Sequence, residues 1–272
     1  MKRLRRRATA IPLFFALLAA VIALALWALR IPEGVKFAMQ LSPGWNLANT
    51  LDAHGLGSGA GTPAVYEGYW GSAPVTEQQI DMIAAAGFHT LRVPVTWYEH
   101  MDAQNRIDPT WLDRVQTVVD WALDRGMYVI VNAHHDAWYE PDPAKLQTAV
   151  ATLRDVWEQI ATRFQTYDTH LLFEGMNEPR LLGHPQEWAA GTPEARACVN
   201  TLNAAFVAAV RATGGENATR YLLVPAYAAN VREDALAALA LPADSHLMVS
   251  AHLYAPYDSA LNEAGTADWS PD

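Results

Sequence analysis

Leu171-Leu172-Phe173-Glu174-Gly175-Met176-Asn177-Glu178-Pro179 reads as a short buried strand that ends in an amide, a carboxylate and a proline. Four apolar or β-compatible residues suffice to cross a core, and Pro179 has no N–H with which to extend the ladder past Glu178. Glu178 is therefore presented at the C-terminal edge of a strand. In parallel α/β proteins that edge is where chemistry is built.

Similar short runs lie on either side, at residues 45–47, 90–93, 128–132, 222–224 and 248–251. Helical patterns separate them. Thr76-Glu77-Gln78-Gln79 is a capping box opening a helix that Gly87 closes, and Asp108-Pro109 supplies an N-cap and a first-turn proline for a helix ending near Gly126. Leu146, Val150, Leu153, Trp157, Ile160 and Phe164 form one apolar stripe at steps of three and four. A further helix runs from about Pro193 to Thr213, with Gly214 after its end. Such alternation predicts a parallel sheet with right-handed crossovers. Asn46, Arg92, His134, Glu178, Tyr227 and His252 each fall at or just after a different strand end. Only a closed barrel brings six such ends to one mouth, so the expected fold is an α/β TIM (β/α)8 barrel, of which about six units are present. The glycine-rich stretch 55–62 has no Lys and opens no helix, and is read as a flexible loop over the mouth rather than a phosphate cradle.

The N-terminus differs from the rest. Lys2, Arg3, Arg5, Arg6 and Arg7 precede an apolar run from Ile11 to Leu29, the pattern of a signal peptide or an uncleaved membrane anchor over residues 1–30. Residues 31–272 are then the catalytic barrel, placed outside the cytoplasm, secreted or held at the membrane by residues 11–29. Without the first thirty residues the chain keeps 13 Lys and Arg against 29 Asp and Glu, a net charge of −16. That charge argues against nucleic acid or anionic lipid as a partner and suits a neutral substrate. A monomer is expected. Cys198, the single cysteine, reads as a buried inert thiol.

Glycosidic cleavage needs a carboxylic acid for the leaving oxygen, a second carboxylate and polar groups for the sugar hydroxyls. Glu178 fits the first role. Asn177 is placed to bind a 2-hydroxyl, and Arg92, His134, His252 and Tyr254 to orient carboxylates. Trp45, Trp97, Trp138, Tyr227 and Tyr257 offer flat faces to a pyranose, with Asn46 and His135 beside them. Each aromatic is also compatible with simple packing. His134-His135-Asp136 admits a metal reading, but alternate residues of a strand face opposite sides and no second cluster completes a site. No metal or cofactor is expected.

The ordered runs Gly44-Trp45-Asn46-Leu47-Ala48-Asn49-Thr50-Leu51-Asp52-Ala53, Leu91-Arg92-Val93-Pro94-Val95-Thr96-Trp97, Asn132-Ala133-His134-His135-Asp136, Glu174 to Pro179 and His252-Leu253-Tyr254 resemble glycoside hydrolase family five, nearest its cellulase-type endoglucanase branch. Ala48 stands where that family usually has glycine. The resemblance implies retaining double displacement on a β-1,4-glucan, with Glu178 as acid/base, Asn177 on the 2-hydroxyl, and Arg92, His134, His252 and Tyr254 around the carboxylates. Mannan, xylan and xyloglucan are the alternative substrates, and a catalytically inactive carbohydrate-binding barrel is the alternative function.

The family's nucleophile is a glutamate closing the seventh strand, and this sequence reaches Asp272 in the loop after the sixth. Glu263 follows no strand and does not replace it. At roughly 40 residues per unit, about two units of a barrel lie outside this stretch. The expectation is a fragment without the nucleophile, inactive by itself and prone to aggregate through its open edges.

Overall fold

The computed structural model describes residues 31–262, 264 and 265. The expectations for residues 1–30 and for Glu263 lie outside these residues. Among the described residues no helix is long and apolar enough to cross a membrane. They fall into two units that divide between Ser42 and Pro43. The first holds helix α1 (Glu33–Gln40), with Glu33 in its first turn and paired to Lys36 at 2.9 Å.

The second unit alternates strands and helices. In chain order these are β1 (Gly44–Asn46), α2 (Pro63–Glu67), α3 (Glu77–Ala85), β2 (Thr90–Val93), α4 (Pro109–Leu123), β3 (Tyr128–Asn132), α5 (Leu146–Arg163), β4 (Leu171–Glu174), α6 (Pro193–Ala212), β5 (Leu222–Asn230), α7 (Glu233–Ala237), β6 (Leu247–His252) and α8 (Tyr257–Ala260). Among the described residues the strands form one sheet in sequential order β1 to β6, with every neighbouring pair parallel. Sequential parallel order with intervening helices is the topology of a (β/α)8 barrel, here a partial one.

The caps form as the sequence requires. Thr76 accepts from the Gln79 amide while the Gln79 side chain accepts from the Thr76 amide. Asp108 accepts from Thr110, and Thr192 from Ala195. Each satisfies N–H groups that a helix leaves unpaired in its first turn. The apolar stripe of α5 packs between sheet and helix. Trp157 is fully buried against Phe206 of α6 and Phe173 of β4, and its indole N–H donates to the Gly175 carbonyl at 3.0 Å. Gly175 has to be small: a Cβ there would stand 2.6 Å from the Phe206 ring. Cys198 is buried on α6.

Strand β5 departs from expectation. It runs to Asn230, with an irregularity between Pro225 and Asn230 and positive φ at Ala228 (53°) and Ala229 (48°). Alanine rarely adopts that conformation, so nothing in the sequence announces the bend. At the foot of the sheet Arg220 is fully buried. It donates to the Asn217 side chain and to the carbonyls of Asp168, Leu171, Phe164 and Tyr167.

Candidate active site

The polar residues at the ends of β1, β2, β3, β4 and β6 converge. Arg92 on β2 organises their floor. Its guanidinium donates to Asn46 Oδ1 (2.9 Å), Asn177 Oδ1 (2.8 Å) and Glu174 Oε2 (2.8 Å from Nε). Asn132 Nδ2 donates to the same Glu174 oxygen at 2.9 Å. Glu174 is thus the buried counter-charge of Arg92. Arginine has only donors, so Asn177 must turn its oxygen toward Arg92 and leave its NH2 free as a donor.

Beyond β4 the chain is held by the bond from the Asn177 amide to the Ala133 carbonyl, which ties the loop after β4 to the loop after β3. Glu178 follows. Its Oε1 lies 2.6 Å from His252 Nδ1, and its Oε2 lies 3.8 Å from the Arg180 guanidinium. Among the described residues Glu178 borders two cavities. One, of about 350 Å³, is lined by His54, Tyr98, His134, His135, Asp136 and Arg180 among others. The second, of about 630 Å³, is lined by Trp188, Asn230, His252, Tyr254 and Tyr257 among others.

Burial favours the neutral form of His134 and His135. His134 is pushed down to about 2 by desolvation and then by Arg92, and His135 to about 4 by desolvation and then by His54. Asp136 is raised to about 7 by burial, against the opposing pull of the Trp97 and Tyr98 amides it accepts from. The neighbouring histidines were expected to diverge. They do not, because the chain has left the strand: His134 and His135 meet edge to face with centroids 4.5 Å apart. With Asp52 they bring one potential ligand atom each within 4.8 Å of one another.

Several aromatic expectations are corrected. Trp97 is fully buried and its indole donates to the Asn132 carbonyl, so it offers no face to a ligand. Tyr227 lies inside the longer β5, buried against Ala195 and Val199 of α6, with its hydroxyl accepting from the Leu181 amide. Trp45 is on the opposite side of β1 from Asn46 and packs on Phe88 at 5.2 Å, as strand alternation demands. Trp138 packs partly buried against the core and lines neither cavity. The glycine-rich loop is tethered: Gly55 and Gly57 amides donate to Glu99 Oε1 at 2.9 and 3.1 Å.

Other residues at the mouth carried no strand-end signal. His54, Trp70 and His135 form a triangle of rings with centroids 4.7–5.5 Å apart, and the Trp70 indole donates to the His54 carbonyl at 2.9 Å. Arg180 lies 4.1 Å over the exposed Trp188 ring and pairs with Glu187 at 2.9 Å. Arg180 alone had a clue, its place directly after Pro179.

The geometry is a carboxylate on the partition between two cavities, backed by a buried Arg–Glu pair and neutral imidazoles. A sequence profile described as cellulase (glycosyl hydrolase family 5) matches residues 52–271. The chain belongs to glycosyl hydrolase family 5. Relatives in that family include endoglucanase B of Ruminococcus albus, 46% identical over 237 residues, which cover 86% of this chain and 56% of that protein. The chain thus spans a little over half the length of that relative. A solved GH5-4 broad specificity endoglucanase from Ruminococcus champanellensis with bound cellotriose superposes with a TM-score of 0.84 at 44% identity, covering 89% of this chain and 71% of the other. A family 5 xyloglucan-specific endo-β-1,4-glucanase from a metagenomic library, in complex with cellotriose, gives 0.82 at 38% identity, covering 88% and 72%.

Proposed function

We propose that the protein carrying this family 5 chain is an endo-acting hydrolase of β-1,4-glucan that works with retention of configuration. One observation carries the reading: Glu178, hydrogen-bonded to His252, stands between two cavities, so a glycosidic oxygen above it has a sugar on either side. In this reading Glu178 protonates that oxygen as the bond breaks and later removes a proton from water. The Asn177 NH2, its oxygen engaged by Arg92, donates to the 2-hydroxyl. Arg92 holds that amide, Glu174 holds Arg92, and neither takes part in proton transfer. Tyr254 and Tyr257 border the larger cavity, as His54 and His135 border the smaller, and these groups make the contacts to the chain of sugars.

Retention requires a second carboxylate about 5–5.5 Å from the first. We assign it to polypeptide outside these 272 residues, a reading supported by the 56% share of the endoglucanase B length that the chain spans. The basic and apolar N-terminal stretch supports action outside the cytoplasm.

The xyloglucan-specific neighbour favours a second substrate, the branched β-1,4-glucan. Reducing-end release by the full-length protein from linear β-glucan, xyloglucan, mannan and xylan tests both, with Glu178→Gln as control. Release from the glucans, lost in Glu178→Gln, is expected. No release from any of them by the wild type would instead favour a carbohydrate-binding barrel.

A further inference from the structure

The amide of Asn132 can be oriented without ambiguity, and that orientation reaches His134. Asn132 is fully buried at the end of β3. Its Oδ1 lies 3.2 Å from the Val95 amide, which can only donate, so Oδ1 is the acceptor and Nδ2 carries the two hydrogens. One hydrogen goes to Glu174 Oε2 at 2.9 Å, an acceptor-only carboxylate oxygen that Arg92 also holds. The other faces His134 Nδ1 at 3.0 Å. A proton on Nδ1 would set donor against donor across 3.0 Å, on the side of the ring that faces the fully buried Asn132. Turning the Asn132 amide over would leave both the Val95 N–H and Glu174 facing the wrong group. Nor is the histidine backbone free to shift, because its N–H donates to Val95 (2.9 Å) and its carbonyl accepts from the Tyr139 hydroxyl.

We propose that Asn132 is a positioning residue that holds His134 as the Nε2–H tautomer, so that the imidazole offers the cavity a hydrogen-bond donor and has no lone pair for a metal ion. The Nδ1 lone pair is occupied by Asn132 and Nε2 carries the proton. This decides the chemistry of the Asp52, His134 and His135 cluster, whose spacing alone would fit a cation: one of its three members has no ligand atom to give. The charged and titratable groups facing the ring are Arg92 from β2, Glu174 from β4 behind Asn132, His135 beside it, Asp52 and His54 from the loop after β1, and His252 from β6. Burial and the Arg92 charge oppose a second proton on the ring. The consequence for substrate, a fixed N–H directed at a sugar oxygen lone pair, rests on the function proposed above. The tautomer itself does not.

The test is a nitrogen-15 spectrum of the histidine-labelled full chain, with the His134 pair assigned by its loss in His134→Gln. The expected result is a pyridine-like Nδ1 and a pyrrole-like Nε2, unchanged from pH 8 to pH 5 and unmoved by an equivalent of zinc ion. In Asn132→Asp, where the donor becomes an acceptor, the pyrrole-like signal should move to Nδ1 or an imidazolium should appear. A protonated Nδ1 in the wild type, or a zinc-dependent shift of the His134 pair, overturns the proposal, and the wild-type spectrum decides even if the variant does not fold. An Asn132→Asp spectrum with the wild-type tautomer would overturn it too. These readouts need no turnover, so they stand or fall apart from the proposed activity.

Discussion

His252 Nδ1 lies 2.6 Å from Glu178 Oε1, and this contact joins the end of β6 to the loop after β4 across 74 residues of sequence. A hydrogen bond contributes about 0.5–1.5 kcal/mol net, so removing one that positions the proposed proton donor should slow the reaction by about twofold to tenfold. His252→Ala in the full-length protein should show that loss mainly in kcat, measured on soluble β-glucan. An unchanged kcat would show that Glu178 is positioned without it.

Gly175 leaves no room for a side chain against Phe206. Gly175→Ala should therefore destabilise by about 1–3 kcal/mol, the usual cost of overpacking a well-filled core. Urea unfolding measures it. Adding Phe206→Leu should recover part of the loss, since the shorter side chain gives the methyl space.

Arg220 is a buried cation whose hydrogen bonds go to carbonyls and to one amide, with its guanidinium 4.9 Å from the Phe173 ring. Burial pulls it down to about 10, yet it stays charged at neutral pH. Arg220→Met strands the buried acceptors and should cost at least about 1–3 kcal/mol in the same assay, the penalty for leaving a buried acceptor unsatisfied. A loss below about 1 kcal/mol would mean that water replaces the guanidinium there.

Stability should fall on the acid side of neutrality. His134 (about 2), His135 (about 4) and His100 (about 4) are all depressed, chiefly by burial, so the unfolded chain binds more protons than the folded one below pH 6.5. Their contribution is complete above pH 6.5 and is lost as pH falls toward 4. Asp136, raised to about 7, acts the other way, adding stability as pH falls from 7 toward 3.8. Three groups outweigh one. Urea midpoints should drop from pH 7 to pH 5, and drop more steeply in Asp136→Asn. A higher midpoint at pH 5 would contradict the assignment.

Strands β2, β3 and β4 were legible to the residue because each is a short apolar run bounded by turn residues and buried on both faces. Arg92, His134, Glu178 and His252 could be grouped because strand ends in a parallel barrel share one mouth. Residue type did not say which face an aromatic takes. Trp97, Trp138 and Tyr227 went into packing, and Tyr227 was misplaced because the left-handed Ala228 and Ala229 prolong β5 unannounced. His54 and Trp188 sit on loops, whose paths follow from tertiary contacts such as Glu99 to Gly55 and Arg180 to Trp188 rather than from local pattern.

The proposed role of Glu178 is that of proton donor in a retaining glycosidase. The direct measurement is Glu178→Ala in the full-length protein, comparing an aryl β-cellobioside that has a dinitrophenolate leaving group with unactivated β-glucan. Formation of the glycosyl-enzyme from the activated substrate should survive, because that leaving group needs no proton. Polysaccharide turnover should fall by about 10²–10⁴-fold, and added azide should be captured as the β-glycosyl azide. Equal loss on both substrates, or an α-configured azide, would contradict that role.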